Sequence, residues 1–154
     1  MIKILFVCLG NICRSPMAEF IMKDLVEKEG VADQFEIASA ATSTWEIGNP
    51  VYTPARAMLS RHGICCDGKT ARQMTKQDYR TYDLIIGMDQ SNYRDMREIA
   101  GGDPQGKLRL LMDYTDRPGD VADPWYTRNF EDTWRDVNEG CSGILDALRR
   151  EGKL

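Results

Sequence analysis

A single histidine, His62, stands in a chain of 154 residues, and no Cys-x-x-Cys pair accompanies it. The usual donors of a structural or catalytic metal site are therefore missing, and His62 reads as a helix-end structural residue. No metal or other cofactor is expected. Positive charge is not in excess either: 20 Lys and Arg against 24 Asp and Glu leave a formal net charge of -4. Such a balance offers no electrostatic footprint for nucleic acid. No apolar run approaches membrane-spanning length, and Met1 runs into Ile2-Lys3-Ile4-Leu5-Phe6-Val7 without a basic leader and cleavage site. The reading is of a soluble, unexported, cytoplasmic protein with no membrane partner. Five cysteines are an odd count, and read as reduced thiols rather than as a disulfide framework.

What is present is ordinary for one compact domain spanning 1–154: 42% hydrophobic and 29% charged residues. Ile2–Cys8 is a nearly unbroken apolar, β-branched run, the pattern of a central strand buried on both faces. Ser15 is a good N-cap and Pro16 a good first helical residue. Met17, Phe20, Ile21 and Leu25 then recur at helical spacing until Gly30. Further strands are expected over residues 35–41, 84–88 and 108–112. A helix is expected over 54–62, with Ala55, Met58 and Leu59 on one face and Gly63 beyond its end. The last helix should span Phe130–Arg150, burying Trp134, Val137, Cys141, Ile144, Leu145 and Leu148. Strands alternating with helices argue for an α/β, doubly wound, flavodoxin- or Rossmann-like parallel sheet. Ligands of such sheets sit beyond the carboxyl ends of the strands, where the strand order reverses, and Cys8 ends the first strand.

The segment Val7-Cys8-Leu9-Gly10-Asn11-Ile12-Cys13-Arg14-Ser15-Pro16 therefore carries the chemistry. A thiol attacks as thiolate, a form favoured by a helix N-terminus and by a neighbouring cation. Residues 9 to 14 can wrap so that successive amides form a nest for phosphate oxygens, with Gly10 permitting the turn and Asn11 tolerating left-handed φ. Asn11 also fits an ordinary turn asparagine. Arg14 can grip two oxygens at once, a fork that lysine lacks. Ser15 can donate to the Cys8 sulfur besides capping the helix, although the cap alone would explain a serine. Cys13 is either a small buried loop residue or a partner that shields Cys8 from overoxidation through a reversible disulfide.

Spacing alone decides nothing, because Cys66 and Arg72 repeat the Cys-x5-Arg pattern, with Gly68 placed as Gly10 is. Cys66 follows a helix end rather than a strand, and Gln73 rather than Ser-Pro follows the arginine. Cys65 and Cys66 read as small side chains in a surface loop. Gly63-Ile64-Cys65-Cys66-Asp67-Gly68-Lys69-Thr70 likewise satisfies the phosphate-loop pattern of nucleotide hydrolases, with Asp89 available as a magnesium ligand. That pattern needs a strand before the glycine and a helix at the lysine, whereas Gly63 ends a helix here.

A phosphocysteine route also needs an acid for the leaving oxygen and a base for the hydrolytic water. Asp123-Pro124 is the candidate: proline holds Asp123 extended, and Trp125 and Tyr126 would partly desolvate its carboxyl. A turn aspartate fits the same local sequence.

The Cys8 to Pro16 run, with Asp123-Pro124-Trp125-Tyr126 downstream, resembles the low-molecular-weight protein tyrosine phosphatase family. The resemblance covers most of the chain, in order, through the stretch from Ser39 to Pro50, Arg61-His62-Gly63-Ile64, Ala71-Arg72-Gln73 and Met88-Asp89-Gln90-Ser91-Asn92. It implies a four-stranded parallel sheet, Cys8 as nucleophile, Arg14 as phosphate binder and Asp123 as proton donor, without a metal. It further implies that Ser39 and Asn11 join a hydrogen-bond network holding the loop, and that Trp45, Trp125 and Tyr126 line the entrance; Leu9, Gly10, Asn11, Ile12, Cys13 and Ser15 are read as holding phosphate, with Asp89 in support. The implied ligands are tyrosine-phosphorylated proteins or peptides, phosphate and oxyanion inhibitors. One departure is Lys69, where many similar chains carry a histidine that supports the loop. A charged lysine cannot accept a hydrogen bond.

The same scaffold suits three other functions less well. Arsenate reductases of this kind need further redox cysteines near the third strand, and residues 79 to 95 contain none. Protein-arginine phosphatases resemble this chain except for a threonine at the position of Ile12. An apolar Ile12 beside aromatic residues favours a flat aryl substrate over a guanidinium. A flavodoxin-like module could hold an anion without turnover, but would not need a thiol, an arginine and a separate Asp-Pro.

Overall fold

Along β1 (Ile2–Cys8) the side chains alternate between two cores, as the two-residue period of a strand requires. Ile4, Phe6 and Cys8 join the larger core on one face, and Leu5 and Val7 join a smaller one on the other. The computed structural model describes residues 1–154. After β1 come α1 (Arg14–Lys28), a 3-10 turn (Ala32–Gln34), β2 (Phe35–Ala41), α2 (Thr53–Arg61), α3 (Lys76–Thr81) and β3 (Leu84–Gly87). The chain continues through α4 (Gln90–Ala100), β4 (Leu108–Leu110), a second 3-10 turn (Leu111–Tyr114), α5 (Pro124–Thr127) and α6 (Phe130–Arg150).

All four strands are parallel, in the order β2-β1-β3-β4. The pairings run from Ile2 opposite Phe35 to Cys8 opposite Ala41 on one side of β1, and from Ile4 opposite Leu84 to Val7 opposite Gly87 on the other. Buried residues of α1, α2 and α6 cover one face, and residues of α3 and α4 the other. The strand order reverses about β1, so Cys8 stands at the crevice this topology opens. No helix is long and apolar enough to cross a membrane.

Several boundaries differ from the sequence expectation. β3 stops at Gly87 rather than 88, because the Met88 amide donates to Asn92 Oδ1 at 3.2 Å and its carbonyl accepts from Val121 N at 2.8 Å. β4 stops at Leu110 rather than 112: Leu111 and Met112 leave the edge in a 3-10 turn and bury themselves in the larger core with α6. α2 begins and ends one residue earlier than expected, with Gly63 beyond it at φ 74°. The last helix has its expected bounds. It lies so close to the second 3-10 turn that a Cβ on Gly143 would overlap the Tyr114 carbonyl. Cys66 is not a surface-loop residue: it is 4% exposed and belongs to the larger core, while Cys65 is exposed.

Candidate active site

The loop between β1 and α1 turns inward on its amides. Asn11 adopts φ 59°, and Gly10, at which the sequence placed the special turn, has no positive φ. Asn11 N and Ser15 N donate to Cys8 Sγ at 3.3 and 3.4 Å, and Ser15 Oγ lies 3.0 Å from the same sulfur. The amides of Leu9, Gly10, Ile12, Cys13 and Arg14 donate to no protein acceptor, whereas the carbonyls of Leu9 and Ile12 accept from residues outside the loop. Leu9 O accepts from Ser43 N at 3.1 Å, and Ile12 O from Tyr52 N at 2.9 Å. Ser15 is not the cap of α1. That position falls to Cys13, and the serine hydroxyl is turned toward the sulfur instead.

Asn11 is the brace of this loop. Its Nδ2 donates to Ser15 Oγ at 2.8 Å and Ser39 Oγ at 2.9 Å, and its Oδ1 accepts from Arg72 N at 3.3 Å. Ser39, fully buried in β2, donates in turn to Glu19 Oε1 at 2.6 Å. Glu19 is 4% exposed on α1 and also accepts from Lys23 Nζ at 2.7 Å. Lys69 adds a donor rather than an acceptor: its Nζ reaches Ser39 O at 2.9 Å and lies 3.5 Å from Glu19 Oε1. Burial lowers the Lys69 ammonium below its ordinary value, against the pull of Glu19. Sequence reasoning missed Glu19, although a carboxylate one turn after Ser15 on the apolar side of α1 was a readable signal.

Arg14, 2% exposed, is steered by three partners. Its Nη1 donates to Asp89 Oδ2 at 2.7 Å and Val121 O at 2.9 Å, and its Nη2 lies 3.5 Å from Asp123 Oδ2. Burial opposes the charged guanidinium, but Cys8, Asp89 and Asp123 together hold it above its ordinary value. Asp89 uses its other oxygen to cap α4, accepting from Asn92 N at 2.7 Å, which fixes its aim at Arg14. Asp123 is extended at φ -76°, ψ 113°, and its Oδ1 accepts from Trp125 N at 3.0 Å. Val121 pins this segment to the carboxyl end of β3 through Met88.

A pocket opens over the sulfur, lined by Cys8, Ile12, Arg14, Glu46, Asp123 and the three expected aromatic residues, Trp45, Trp125 and Tyr126. Trp45 and Tyr126 are mostly exposed, at 74% and 76%, so they form a rim rather than a lid over Asp123. Cys13 also borders the pocket, and burial, aided by Cys8 and Asp123, pushes its thiol up to about 12. The two look-alike motifs do not form sites. Cys66 lies in the core, Arg72 pairs with Asp78 at 3.0 and 3.2 Å, and no helix begins at Lys69.

Residues 3–154 match the family model described as low molecular weight phosphotyrosine protein phosphatase. The chain belongs to this family. A member from Bacillus subtilis (strain 168), named low molecular weight protein-tyrosine-phosphatase YfkJ, is 42% identical over the whole of both chains. The crystal structure of YfkJ covers 98% of this chain and 96% of its own, with a TM-score of 0.94. A family member from Gallus gallus, named low molecular weight phosphotyrosine protein phosphatase, is 40% identical over 94% of each chain. The family fold also includes the crystal structure of a drosophila arginine phosphatase. It is 29% identical, covers 96% of this chain and 98% of its own, and has a TM-score of 0.87.

Proposed function

We propose that this chain hydrolyses phosphotyrosine in proteins and peptides through a phosphocysteine on Cys8, without a metal. The observation that carries the reading is the convergence of two amides and a hydroxyl on one sulfur, in a pocket that the buried Arg14 guanidinium and the Asp123 carboxylate also line. Inward amides suit the three non-bridging oxygens of a phosphate. The Nε and Nη2 protons of Arg14 supply the fork, since Nη1 is occupied by Asp89 and Val121.

In the first step the Cys8 thiolate attacks phosphorus and a sulfur–phosphorus bond forms. The bond from phosphorus to the tyrosyl oxygen breaks, and protonated Asp123 gives its proton to that oxygen. In the second step the Asp123 carboxylate takes a proton from water, whose oxygen attacks phosphorus. Phosphate and free Cys8 thiolate are released. Ser15 Oγ, 3.0 Å from the sulfur, stabilises the thiolate as it leaves. The aromatic rim and Ile12 favour a flat aryl group by stacking and burial.

Phosphotyrosine, phosphoserine and phosphoarginine peptides offered to one preparation test the substrate class. Hydrolysis of the phosphotyrosine peptide alone, with chelator present, is the expected result. Faster release from phosphoarginine would assign the chain to the arginine phosphatase activity instead.

A further inference from the structure

Next to the pocket's Trp125 stands the guanidinium of Arg128. Arg128 ends α5 in the left-handed region at φ 61°, a conformation that disfavours residues bearing a Cβ. Asn11, in the sulfur loop, is the other non-glycine residue with positive φ. Arg128 Nη1 donates to Tyr52 Oη at 3.0 Å, and its Cζ lies 5.6 Å from the centre of the Trp125 ring. Tyr52 packs on Trp125, with ring centres 4.8 Å apart, and donates its amide to Ile12 O. Arg128 is thus tied to the sulfur loop through one intervening residue.

Its charge is left unneutralised. No carboxylate lies within ion-pairing distance of Arg128, because the acidic residues of the next turn are engaged elsewhere. Glu131 lies 3.8 Å from Arg61, and Asp132 is held by Asn129 and Arg135. From Arg128 a groove runs between α2 and the start of α6, lined by Met58, Arg61, Phe130 and Glu131. The groove shares no lining residue with the pocket, but Arg128, which lines the groove, lies against Trp125, which lines the pocket.

We propose that Arg128 is a specificity-determining residue that binds an acidic side chain flanking the phosphotyrosine, with the substrate's peptide chain leaving along this groove. The proposal rests on the phosphotyrosine reading above. An oriented guanidinium with no internal carboxylate offers paired donors to a substrate carboxylate at little further ordering cost. The interaction is at a solvent-exposed rim, so it should act on KM and weaken with added salt. Since the groove lies beside Trp125, the preference should hold on one side of the phosphotyrosine only.

The test scans a phosphotyrosine peptide with Glu, Ala or Lys at successive positions before and after the phosphotyrosine, each kcat/KM taken relative to a small aryl phosphate. The unaltered enzyme should favour Glu over Ala by about threefold on one side of the phosphotyrosine, through KM. Arg128→Asn, which tolerates the left-handed backbone, should lose that preference, and Arg128→Glu should shift it to Lys. Equal use of Glu and Ala peptides by the unaltered enzyme, or a preference that survives in Arg128→Asn, would overturn the assignment while leaving aryl phosphate turnover intact. Absence of aryl phosphate turnover would instead contradict the phosphatase reading, and this one with it.

Discussion

At the scale of single residues, the site depends on groups that never touch a substrate. Asp89 orients Arg14 and caps α4 with its two oxygens. Asp89→Ala should therefore cost a cap's worth of stability, about 1 kcal/mol, and also lower kcat by freeing the guanidinium. Denaturant unfolding and steady-state kinetics on the same variant check both. The cysteines should sort by environment under alkylation near neutral pH. Cys8 and exposed Cys65 should be labelled, and Cys13, Cys66 and Cys141, whose thiols burial pushes up, should not. Inorganic phosphate should protect Cys8 alone, as peptide mapping would show. Labelling of Cys13 ahead of Cys8 would contradict the assignment of the nucleophile. Asp123→Ala should lower kcat for phosphotyrosine peptides by about 100-fold or more if it is the general acid.

At the scale of elements, the sequence was most readable where one force set the pattern. The apolar run of β1 and the long apolar stripe of α6 gave their bounds without error, because each is buried along its length. Boundaries shifted where a group outside the strand takes over its backbone. Asn92, four residues on, and the backbone amide of Val121 claim Met88 and end β3, and the second cannot be read from the residues around position 88. Ser15 looked like a cap because caps are written locally. The sulfur and Asn11, brought to it by folding, redirect its hydroxyl. The meeting of Cys8, Arg14 and Asp123 at one pocket was legible in the sequence. Its bracing by Glu19, Ser39 and Lys69 was only partly so, since these come from α1, β2 and a loop. The close approach of α6 to the second 3-10 turn gives a separate expectation. Gly143→Ala should destabilise the fold by about 1–3 kcal/mol, read from the shift in denaturant midpoint.

At the scale of the whole molecule, buried titratable groups set how the fold responds to alkali. The Cys13 thiol is raised to about 12, and Cys66, Cys141, Tyr82 and Tyr114 are also raised, each chiefly by burial. Unfolded thiols ionise near 9, while the folded ones keep their protons. Over that interval the folded state binds more protons, so stability falls as pH rises above about 9. Lys69 is shifted downward and acts in the opposite sense below 10.5, but it is one group against several. Urea midpoints followed from pH 8 to 11 should decline, and Cys141→Ala should flatten the decline; a midpoint that climbed through this range would contradict it. The central claim concerns the sulfur at the carboxyl end of β1. Its most direct test is acid quenching during turnover of a phosphotyrosine peptide, followed by mass mapping of protein-bound phosphate. Phosphate on the Cys8 peptide, absent in an inactive Cys8→Ser, is the expected result; continued hydrolysis by Cys8→Ser would contradict the account.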